Sequence, residues 1–267
     1  MDYAIIGGDA RMASLAEQLR RSGHRAQQLL TGGEDARAVM EAPDHIRGAS
    51  GIVVNCPPRV RGTRMSLGDV LALAGREARI FLCGPKSPET VDKKITDLWA
   101  DEALQRDNAR LTAEGAVAAI IRAGSRSIGD MACAVIGWGR VGSALGELLV
   151  AMGARVVVAS RTRAHRNRAI ERGAEAVSLE ALPEVLPGMD AVFSTPPSTV
   201  LNEEVLSRVN LEALIVDLAS PPYGVDLHAA WALGLRAWRE PGLPGRYCPE
   251  SAGMALRRAI ERAGGLQ

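Results

Sequence analysis

The sequence is short of aromatic residues, of long apolar runs and of excess charge of either sign. Only 3% of its 267 residues are aromatic and its formal net charge is +1, which argues against a base-stacking surface and a general attraction to nucleic acid. No apolar run approaches the roughly 20 residues that a membrane-spanning helix needs. Asp2 stands where a signal peptide would carry basic residues, so we expect a cytoplasmic protein without a signal peptide.

Cysteine and histidine are equally sparse, and neither residue type forms a recognisable site. The cysteines contain no C-x-x-C pair and are typical of reduced thiols in a cytosolic protein; they are Cys56, Cys83, Cys133 and Cys248. The histidines form no metal-ligand cluster, no Ser–His–Asp arrangement and no clear His–carboxylate pair. We therefore predict no metal site. The 47% of hydrophobic residues excludes disorder and is enough for a large core.

The most informative segment is residues 134–163, AVIGWGRVGSALGELLVAMGARVVVASRTR, which predicts a strand, a glycine turn, a helix and a second strand. Its glycines stand in G-x-G-x-x-G register. The first permits the tight turn, the second lets backbone approach a pyrophosphate, and the third lets the helix pack close to the strand. We expect this turn and three later strand ends to bind a dinucleotide. The predicted residues are Gly137, Trp138, Gly139, Arg140, Val141, Gly142, Ser160, Arg161, Thr162, Ser194, Thr195, Pro196, Leu218 and Ala219.

The residues after the second strand of this segment indicate which dinucleotide binds. An NAD site usually places a carboxylate there to hold the ribose 2′-hydroxyl. This chain instead has Ser160, Arg161, Thr162 and Arg163, and the two guanidinium groups could pair with a 2′-phosphate. The pattern therefore predicts NADP. The alternative is that both arginines are solvated residues at the start of a surface helix.

The chain repeats itself once, at an offset of 130 residues, so that Ile6 and Gly7 fall on Ile136 and Gly137. Both halves thus open with the same strand–turn–helix–strand unit. We predict an α/β protein with two Rossmann-like, doubly wound parallel-sheet domains and a cleft between them. The predicted boundaries are residues 1–108 for the first domain, joined by a C-terminal helix at 249–265, residues 109–127 for a linker helix, and residues 128–248 for the NADP-binding domain.

The two repeated turns differ in one residue that matters. In the first half, Asp9 occupies the place of Gly139, where a carboxylate would repel a pyrophosphate and fill the space that the backbone needs. The first domain therefore keeps the fold without the dinucleotide, and its loops are free to hold a substrate. Arg11 is then a candidate partner for an anion. The alternative is that Asp9 caps the helix and Arg11 is a surface charge.

Two further segments carry candidate site residues. Thr112 and Gly115 precede the apolar run AVAAIIRAG, which predicts a capped helix whose N-terminal N–H groups would suit a carboxylate. An ordinary cap explains the spacing equally well. Asp217 ends a predicted strand and is a weak catalytic candidate that could orient a water or a ring nitrogen. A buried aspartate at a strand end is more often a structural hydrogen-bond acceptor.

Several motifs together resemble the A subunit of dipicolinate synthase, a family of spore-forming bacteria. They are IIGGDAR at 5–11, TAEG at 112–115, GWGRVG at 137–142 followed by ASRT, LNEEVL at 201–206, DLAS at 217–220 and PGLPG at 241–245. The resemblance covers nearly the whole chain. The family's pattern after DLAS is Arg followed by Pro-Gly-Gly, whereas this chain has Pro221, Pro222, Tyr223 and Gly224. That departure lies in a loop where substrate recognition is expected.

The resemblance implies an NADP-dependent oxidation of 4-hydroxy-tetrahydrodipicolinate, or of the dihydrodipicolinate formed from it, to pyridine-2,6-dicarboxylate. It also implies a partner, a flavoprotein-like B subunit, and a location in the mother cell of a sporulating bacterium; a homo-oligomer is a further possibility. The expected donors for the dicarboxylate substrate are Arg11, Thr112, Gly115, Ser220 and Arg246. Two alternatives stay open: a non-catalytic subunit that only binds NADP or product, and another two-domain dehydrogenase of small carboxylic acids.

Overall fold

The computed structural model describes residues 1–29, 36–55, 67–83 and 95–266, without the side chains of 36–41 and 67. The chain divides into two compact units. Unit 1 contains Met1–Asn108 and Pro244–Gln267, and unit 2 contains Ala109–Leu243. Among the described residues, no helix combines the length and the apolar character that a membrane crossing requires.

Strands and helices alternate along the whole chain, as expected for parallel α/β sheets. The first elements are β1 (Asp2–Ile6), α1 (Ala10–Arg21), β2 (Arg25–Leu29), α2 (Ala36–Gly48), β3 (Gly51–Asn55), α3 (Leu67–Leu73), β4 (Arg79–Cys83), β5 (Ile95–Asp97) and α4 (Glu102–Ala123). The later elements are β6 (Ala132–Ile136), α5 (Arg140–Ala151), β7 (Arg155–Ala159), α6 (Arg163–Glu171), β8 (Glu175–Val177), α7 (Leu182–Val185), β9 (Ala191–Ser194), α8 (Glu203–Leu206), β10 (Leu214–Asp217), α9 (Leu227–Ala232), β11 (Arg236–Arg239), α10 (Leu243–Tyr247) and α11 (Pro249–Arg262).

Each unit contains one parallel sheet, so the predicted pair of Rossmann-like α/β domains is confirmed. The sheet of unit 1 has the strand order β2-β1-β3-β4-β5, and the sheet of unit 2 has the order β11-β10-β9-β6-β7-β8. All the strand pairs within them are parallel. The inner strands are short apolar runs such as Ala191–Ser194, which is buried throughout, because helices cover both faces of a parallel sheet.

The internal repeat is confirmed with its offset. The elements β1, α1 and β2 begin and end 130 residues before β6, α5 and β7. In each unit the first strand therefore leads through a short turn into a 12-residue helix. The carboxyl ends of parallel strands share one edge of a sheet, where ligands of such folds bind. The repeated turns after β1 and β6 lie at that edge of their own sheets.

The helix α4 starts earlier than the sequence indicated, so the expected linker helix at 109–127 is part of a longer one. Asp101 caps the true start, since its carboxylate accepts hydrogen bonds from the N–H groups of Ala103 at 2.8 Å and Leu104 at 2.9 Å. The helix runs for 22 residues, from unit 1 into unit 2. Thr112 is therefore an interior residue of the helix, and the expectation that it caps a helix is wrong.

The C-terminal segment packs back onto unit 1. Helix α11 lies so close to α1 that a Cβ atom on Gly253 would come within 2.5 Å of the Ser14 hydroxyl and 2.8 Å of the Leu15 backbone nitrogen. Beyond it, the Arg79 guanidinium donates to the carbonyls of Ala263, at 2.8 Å, and Gly264. The boundary between the units therefore falls at Leu243 rather than at 248.

Candidate functional site

The glycine turn after β6 gives each glycine a different role. Gly137 has a φ of +90°, in the left-handed region that glycine adopts without a steric penalty. A Cβ atom on Gly142 would lie 2.2 Å from the carbonyl oxygen of Gly137, so only glycine lets α5 approach the strand this closely. Among the described residues, no atom beyond the immediate chain neighbours lies within 4 Å of the Cβ position at Gly139. That open position is where the motif needs room for a phosphate.

The start of α5 lacks a side-chain cap. Gly139 is its N-cap residue and makes no side-chain hydrogen bond, so the first N–H groups of the helix are left for another acceptor. In unit 1 the equivalent Asp9 accepts a hydrogen bond from the Arg11 N–H at 3.0 Å and thereby caps α1. Of the two repeated turns, only the one in unit 2 therefore presents an uncapped helix start to an anion.

The other residues of the glycine turn contribute in different ways. The side chain of Trp138 is buried and lies against α5, since a Cβ atom on Gly146 would come within 2.4 Å of its ring. The ring of Trp138 is therefore largely inaccessible to a cofactor. Arg140 is exposed and Val141 is half-buried, and both stand in the first turn of α5.

The turn after β7 is held by hydrogen bonds that leave Arg161 exposed. One guanidinium nitrogen of Arg166 donates to the carbonyls of Ser160 at 2.7 Å and Arg161 at 2.9 Å. Thr162 caps α6 by accepting from the His165 N–H. Ser160 is buried, and its hydroxyl lies 3.4 Å from Nδ1 of His165. This turn is thus fixed in place, with a guanidinium group at the position that discriminates between NADP and NAD.

A groove of about 530 Å³ runs along α5 and α6 from the glycine turn. Its lining combines residues of the glycine turn with charged side chains of both helices. They are Trp138, Gly139, Arg140, Ser143, Glu147, His165, Arg168, Glu171 and Arg172. Glu147 is paired with Arg172 at 3.5 Å. The open side of Gly139 faces this groove, which is large enough for part of a dinucleotide.

The turn after β9 lies against the glycine turn. Thr195 donates to the carbonyl of Ile136 from its backbone nitrogen at 3.1 Å and from its hydroxyl at 2.8 Å. A Cβ atom on Gly137 would come within 2.6 Å of that hydroxyl and 3.5 Å of the Pro196 ring. The hydroxyl of Ser194 is buried and is without a hydrogen-bond partner among the residues that the structure describes. These contacts place Thr195 and Pro196 beside the candidate dinucleotide turn.

Asp217 has a structural role in the turn after β10, which argues against its catalytic candidacy. Its side chain is fully buried and accepts hydrogen bonds from the N–H groups of Ala219 at 3.1 Å, Gly224 at 3.1 Å and Val225 at 3.2 Å. The neighbouring Leu218 N–H donates to the carbonyl of Ser194 at 2.9 Å. Asp217 therefore closes the loop from 218 to 225 on itself, as expected of a buried acceptor at a strand end.

Two residues of this region were not among the sequence-based candidates. Tyr223 has a φ of +74°, and Arg239 places its guanidinium carbon 3.9 Å from the centroid of the Tyr223 ring. Arg239 also lies 3.7 Å from the carboxylate of Asp217. The sequence signal for Tyr223 was the departure from the family pattern at 221–224, and Arg239 had none. Their contact joins residues 16 positions apart, which no local pattern reveals.

The structure removes the reason for assigning Thr112 and Gly115 to the substrate. Both lie in the interior of α4 and are buried. An interior helical N–H points at the carbonyl four residues earlier, so the Gly115 N–H is directed at Leu111 and not at a ligand. The prediction that a helix starts at Thr112 is therefore wrong, because the helix starts at Glu102.

Arg11 and Arg246 both belong to unit 1, although the predicted boundary at 248 places Arg246 in the second domain. Arg11 is ion-paired with Asp9 at 2.9 Å. Gly245 packs on the same carboxylate, since a Cβ atom there would lie 2.4 Å from it. Asp9 of the GGDAR motif and Gly245, the last residue of PGLPG, therefore meet in unit 1 although they are far apart in sequence. Ser220 is exposed and its carbonyl accepts from the Tyr223 N–H at 3.0 Å.

The described cysteines Cys83, Cys133 and Cys248 are not in disulfides. Burial in β6, reinforced by the carboxylate of Asp190, raises the pKa of the Cys133 thiol to about 12. This thiol stays protonated at neutral pH and is a core residue rather than a nucleophile.

Comparison with known proteins supports a dehydrogenase domain in this chain. Residues 97–219 match the family model of the D-isomer specific 2-hydroxyacid dehydrogenase, NAD binding domain. Over 170 residues the chain is 34% identical to the A subunit of dipicolinate synthase from Bacillus subtilis (strain 168), in an alignment that covers 64% of this chain. That alignment spans 57% of the length of the relative. These findings show that this part of the chain is similar to a nicotinamide-dinucleotide-binding dehydrogenase domain.

Solved structures show the same likeness over nearly the full length. The crystal structure of the dipicolinate synthase A chain from Bacillus subtilis has 26% identity and a TM-score of 0.79, covering 98% of this chain and 94% of that one. Its counterpart, the A subunit from Bacillus halodurans, has 22% identity and a TM-score of 0.81, covering 98% and 96%. The apo D-lactate dehydrogenase from Escherichia coli has 14% identity and a TM-score of 0.65, covering 100% and 96%. The resemblance to the A subunit of dipicolinate synthase is thus confirmed. The Bacillus halodurans and Escherichia coli structures share the fold of this chain.

Proposed function

We propose that this chain is the A subunit of a dipicolinate synthase and that its unit 2 binds NADP for the oxidation of dihydrodipicolinate. The observation that carries the proposal is the uncapped start of α5 at Gly139, with open space at its Cβ position. The name of the curated relative, at 34% identity, supports the choice of substrate. When bound, NADP would accept a hydride from the substrate.

The residues of unit 2 fit a dinucleotide. The first N–H groups of α5 would donate to the pyrophosphate, which the helix dipole also favours. Gly139 leaves space for the pyrophosphate because it has no side chain. Thr195 and Pro196 lie in the adjacent turn. Ser160, Arg161 and Thr162 would hold the adenosine ribose and its 2′-phosphate, with Arg161 as the exposed cation. Among these three residues no carboxylate stands ready for a free 2′-hydroxyl, which favours NADP over NAD.

The variant Arg161→Ala tests the cofactor choice. We expect NADP affinity to fall roughly ten- to hundredfold, because a hydrogen bond to a doubly charged phosphate is lost, while NAD affinity stays nearly unchanged. Titration calorimetry with both cofactors measures the difference. Arg155→Ala is the matched control, since Arg155 is an exposed arginine at the other end of β7, paired with Glu175. An equal loss for both cofactors would remove the 2′-phosphate role of Arg161.

The substrate side of the proposal follows from chemistry. Oxidation of dihydrodipicolinate removes a hydride from a ring carbon and a proton from a neighbouring atom, and the product is aromatic. The protein must orient the ring and neutralise two carboxylates. Arg11, Ser220 and Arg246 remain proposed donors for these groups. Arg11 already neutralises Asp9, so its contribution to a ligand is shared with that ion pair.

A second candidate function is a subunit that binds NADP or product while a flavoprotein-like B subunit carries the chemistry. The observation that favours it is the state of Asp217, whose carboxylate is occupied by three backbone N–H groups and is not free to act as a base. The two functions differ in a simple way. A catalytic A subunit reduces NADP with the substrate in the absence of its partner, whereas a binding subunit does so only in the complex.

A further inference from the structure

The turn after β10 is anchored so that only its tip is exposed. Asp217 holds Ala219, Gly224 and Val225 through their N–H groups. Gly224 is packed so tightly that a Cβ atom there would lie 2.0 Å from the Ser194 hydroxyl. The exposed tip consists of Ser220, Pro221 and Pro222, with Tyr223 half-buried behind it. The loop therefore holds a fixed shape at the edge of the sheet where ligands of this fold bind.

Tyr223 adopts a backbone conformation that a tyrosine seldom takes. Its φ of +74° is the left-handed region, which costs a non-glycine residue about 1 kcal/mol or more. Such outliers concentrate at functional sites, where the surrounding structure holds them in place. In this conformation the phenol ring contacts Arg239. The central guanidinium carbon of Arg239 lies over the ring, 3.9 Å from its centroid.

In the described part of the chain, the guanidinium of Arg239 is ion-paired with Asp217 but donates no hydrogen bond. Its distance of 3.7 Å to Asp217 is an ion pair that exceeds hydrogen-bond length. The oxygens of Asp217 are already bonded to three N–H groups. The Arg239 side chain remains 38% exposed. Stacking on an aromatic ring fixes the plane of a guanidinium while leaving its edges, which carry the N–H donors, free to bind.

We propose that Arg239, held on the ring of Tyr223, binds one carboxylate of the substrate at the carboxyl edge of the sheet of unit 2. A planar guanidinium offers two parallel N–H groups to a carboxylate, which is the preferred geometry for this pair. Arg239 ends β11, and Tyr223 stands in the loop that follows β10, so two neighbouring strands contribute to the subsite. The inference rests on the proposed function, because it takes its ligand, a ring dicarboxylate, from that substrate.

The test measures ligand binding by the full chain with NADP saturating. Pyridine-2,6-dicarboxylate and pyridine-2-carboxylate are titrated into the wild type, Arg239→Gln, Arg239→Lys and Tyr223→Ala. We expect Arg239→Gln to weaken dicarboxylate binding roughly ten- to hundredfold and to reduce its advantage over the monocarboxylate. Arg239→Lys restores part of the affinity, because it keeps the charge without the planar fork. NADP affinity should stay unchanged in all of them.

Arg208→Gln is the matched control, since Arg208 is exposed and lies in the segment before β10, at the opposite edge of the sheet. Tyr223→Ala should weaken dicarboxylate binding without removing the ion pair of Arg239 with Asp217, and it serves as the second variant if Arg239→Gln fails to fold. In turnover assays the Arg239 variants should raise KM more than they lower kcat.

Two contrary outcomes have different meanings. If the wild type binds the dicarboxylate and the folded Arg239→Gln and Tyr223→Ala variants bind it equally well, the subsite is wrong and the proposed function stands. If the wild type binds NADP but neither binds pyridine-2,6-dicarboxylate nor oxidises 4-hydroxy-tetrahydrodipicolinate, the proposed substrate is wrong and this subsite fails with it.

Discussion

The change Gly139→Asp would separate the two roles of the glycine turn, stability and cofactor binding. Gly139 has φ −82° and ψ −165°, close to the φ −104° and ψ −164° of Asp9, which caps α1. The Cβ position of Gly139 has no atom within 4 Å. An aspartate therefore fits without strain and can cap α5 as Asp9 caps α1. The variant should fold at least as well as the wild type.

The expected stability gain is small and positive. Aspartate exceeds glycine as an N-cap by a few tenths of a kcal/mol, and replacing a glycine restricts the unfolded chain by about 0.4–1 kcal/mol. Together they predict a gain of about 1 kcal/mol, or about 2–4 °C in Tm for a protein of this size. Calorimetric melting of the wild type and the variant measures the gain.

The same substitution, Gly139→Asp, should weaken the binding of NADP. A carboxylate about 4 Å from a phosphate charge costs about 4 kcal/mol at an effective dielectric constant near 20, which is nearly a thousandfold in affinity. The cap also occupies N–H groups that would bind the pyrophosphate. Gly139→Asn is the matched control, since asparagine caps equally well without the charge and should lose less affinity. A folded Gly139→Asp protein that binds NADP within about threefold of the wild type would refute this account of the turn.

Two further predictions concern unit 1. Arg11→Ala and Arg246→Ala should each raise the substrate KM severalfold with little change in NADP affinity, and full activity of both variants in the assembled complex would remove them from the substrate site. The Arg262 guanidinium, paired with Asp101 at 2.7 Å, holds the pKa of that carboxyl below its ordinary value of 3.8, so the pair stabilises the fold above that pH and its contribution is lost as the pH falls through the lowered pKa. Asp101→Asn should therefore lower the free energy of unfolding by about 0.5–1 kcal/mol at pH 7 and by progressively less as the pH falls below 3.8. Asp101→Ala should cost about 1 kcal/mol more through loss of the cap. Denaturant unfolding over a series of pH values checks both, and a difference for Asp101→Asn that does not shrink in acid would contradict the ion pair.

Local patterns predicted the elements around the two repeated turns well. The strand, glycine turn and helix depend on short-range constraints: positive φ at Gly137, close packing at Gly142 and side-chain capping by Asp9. The internal repeat predicted that the first elements of the two halves are 130 residues apart. The structure has this offset for each of the repeated strands and helices. Neighbouring residues determine such features, so a single sequence is enough to predict them.

The wrong predictions concern residues whose position depends on packing against residues far away in sequence. Thr112 followed by a glycine and an apolar run imitates a helix start, but the helix begins at Glu102, where Asp101 provides the cap and the first turns are mostly polar. Arg246 follows the last strand of unit 2 in sequence, yet Gly245 packs on Asp9 in unit 1. The stacking of Arg239 on Tyr223 joins a strand end to a loop. None of these contacts produces a periodic pattern or a characteristic spacing in the sequence, so they could not be predicted from it.

The measurement that tests the central claim most directly is the reduction of NADP by the purified chain. The protein is given enzymatically generated 4-hydroxy-tetrahydrodipicolinate and NADP, with and without its B partner, and NADPH and pyridine-2,6-dicarboxylate are quantified in the same sample. The account predicts that both products form in a ratio of about one to one, as a two-electron hydride transfer requires, and that Gly139→Asp abolishes both. NADPH that forms only with the B partner would favour the alternative of a binding subunit. Dicarboxylate that forms without NADPH, or no NADPH even in the complex, would contradict the account.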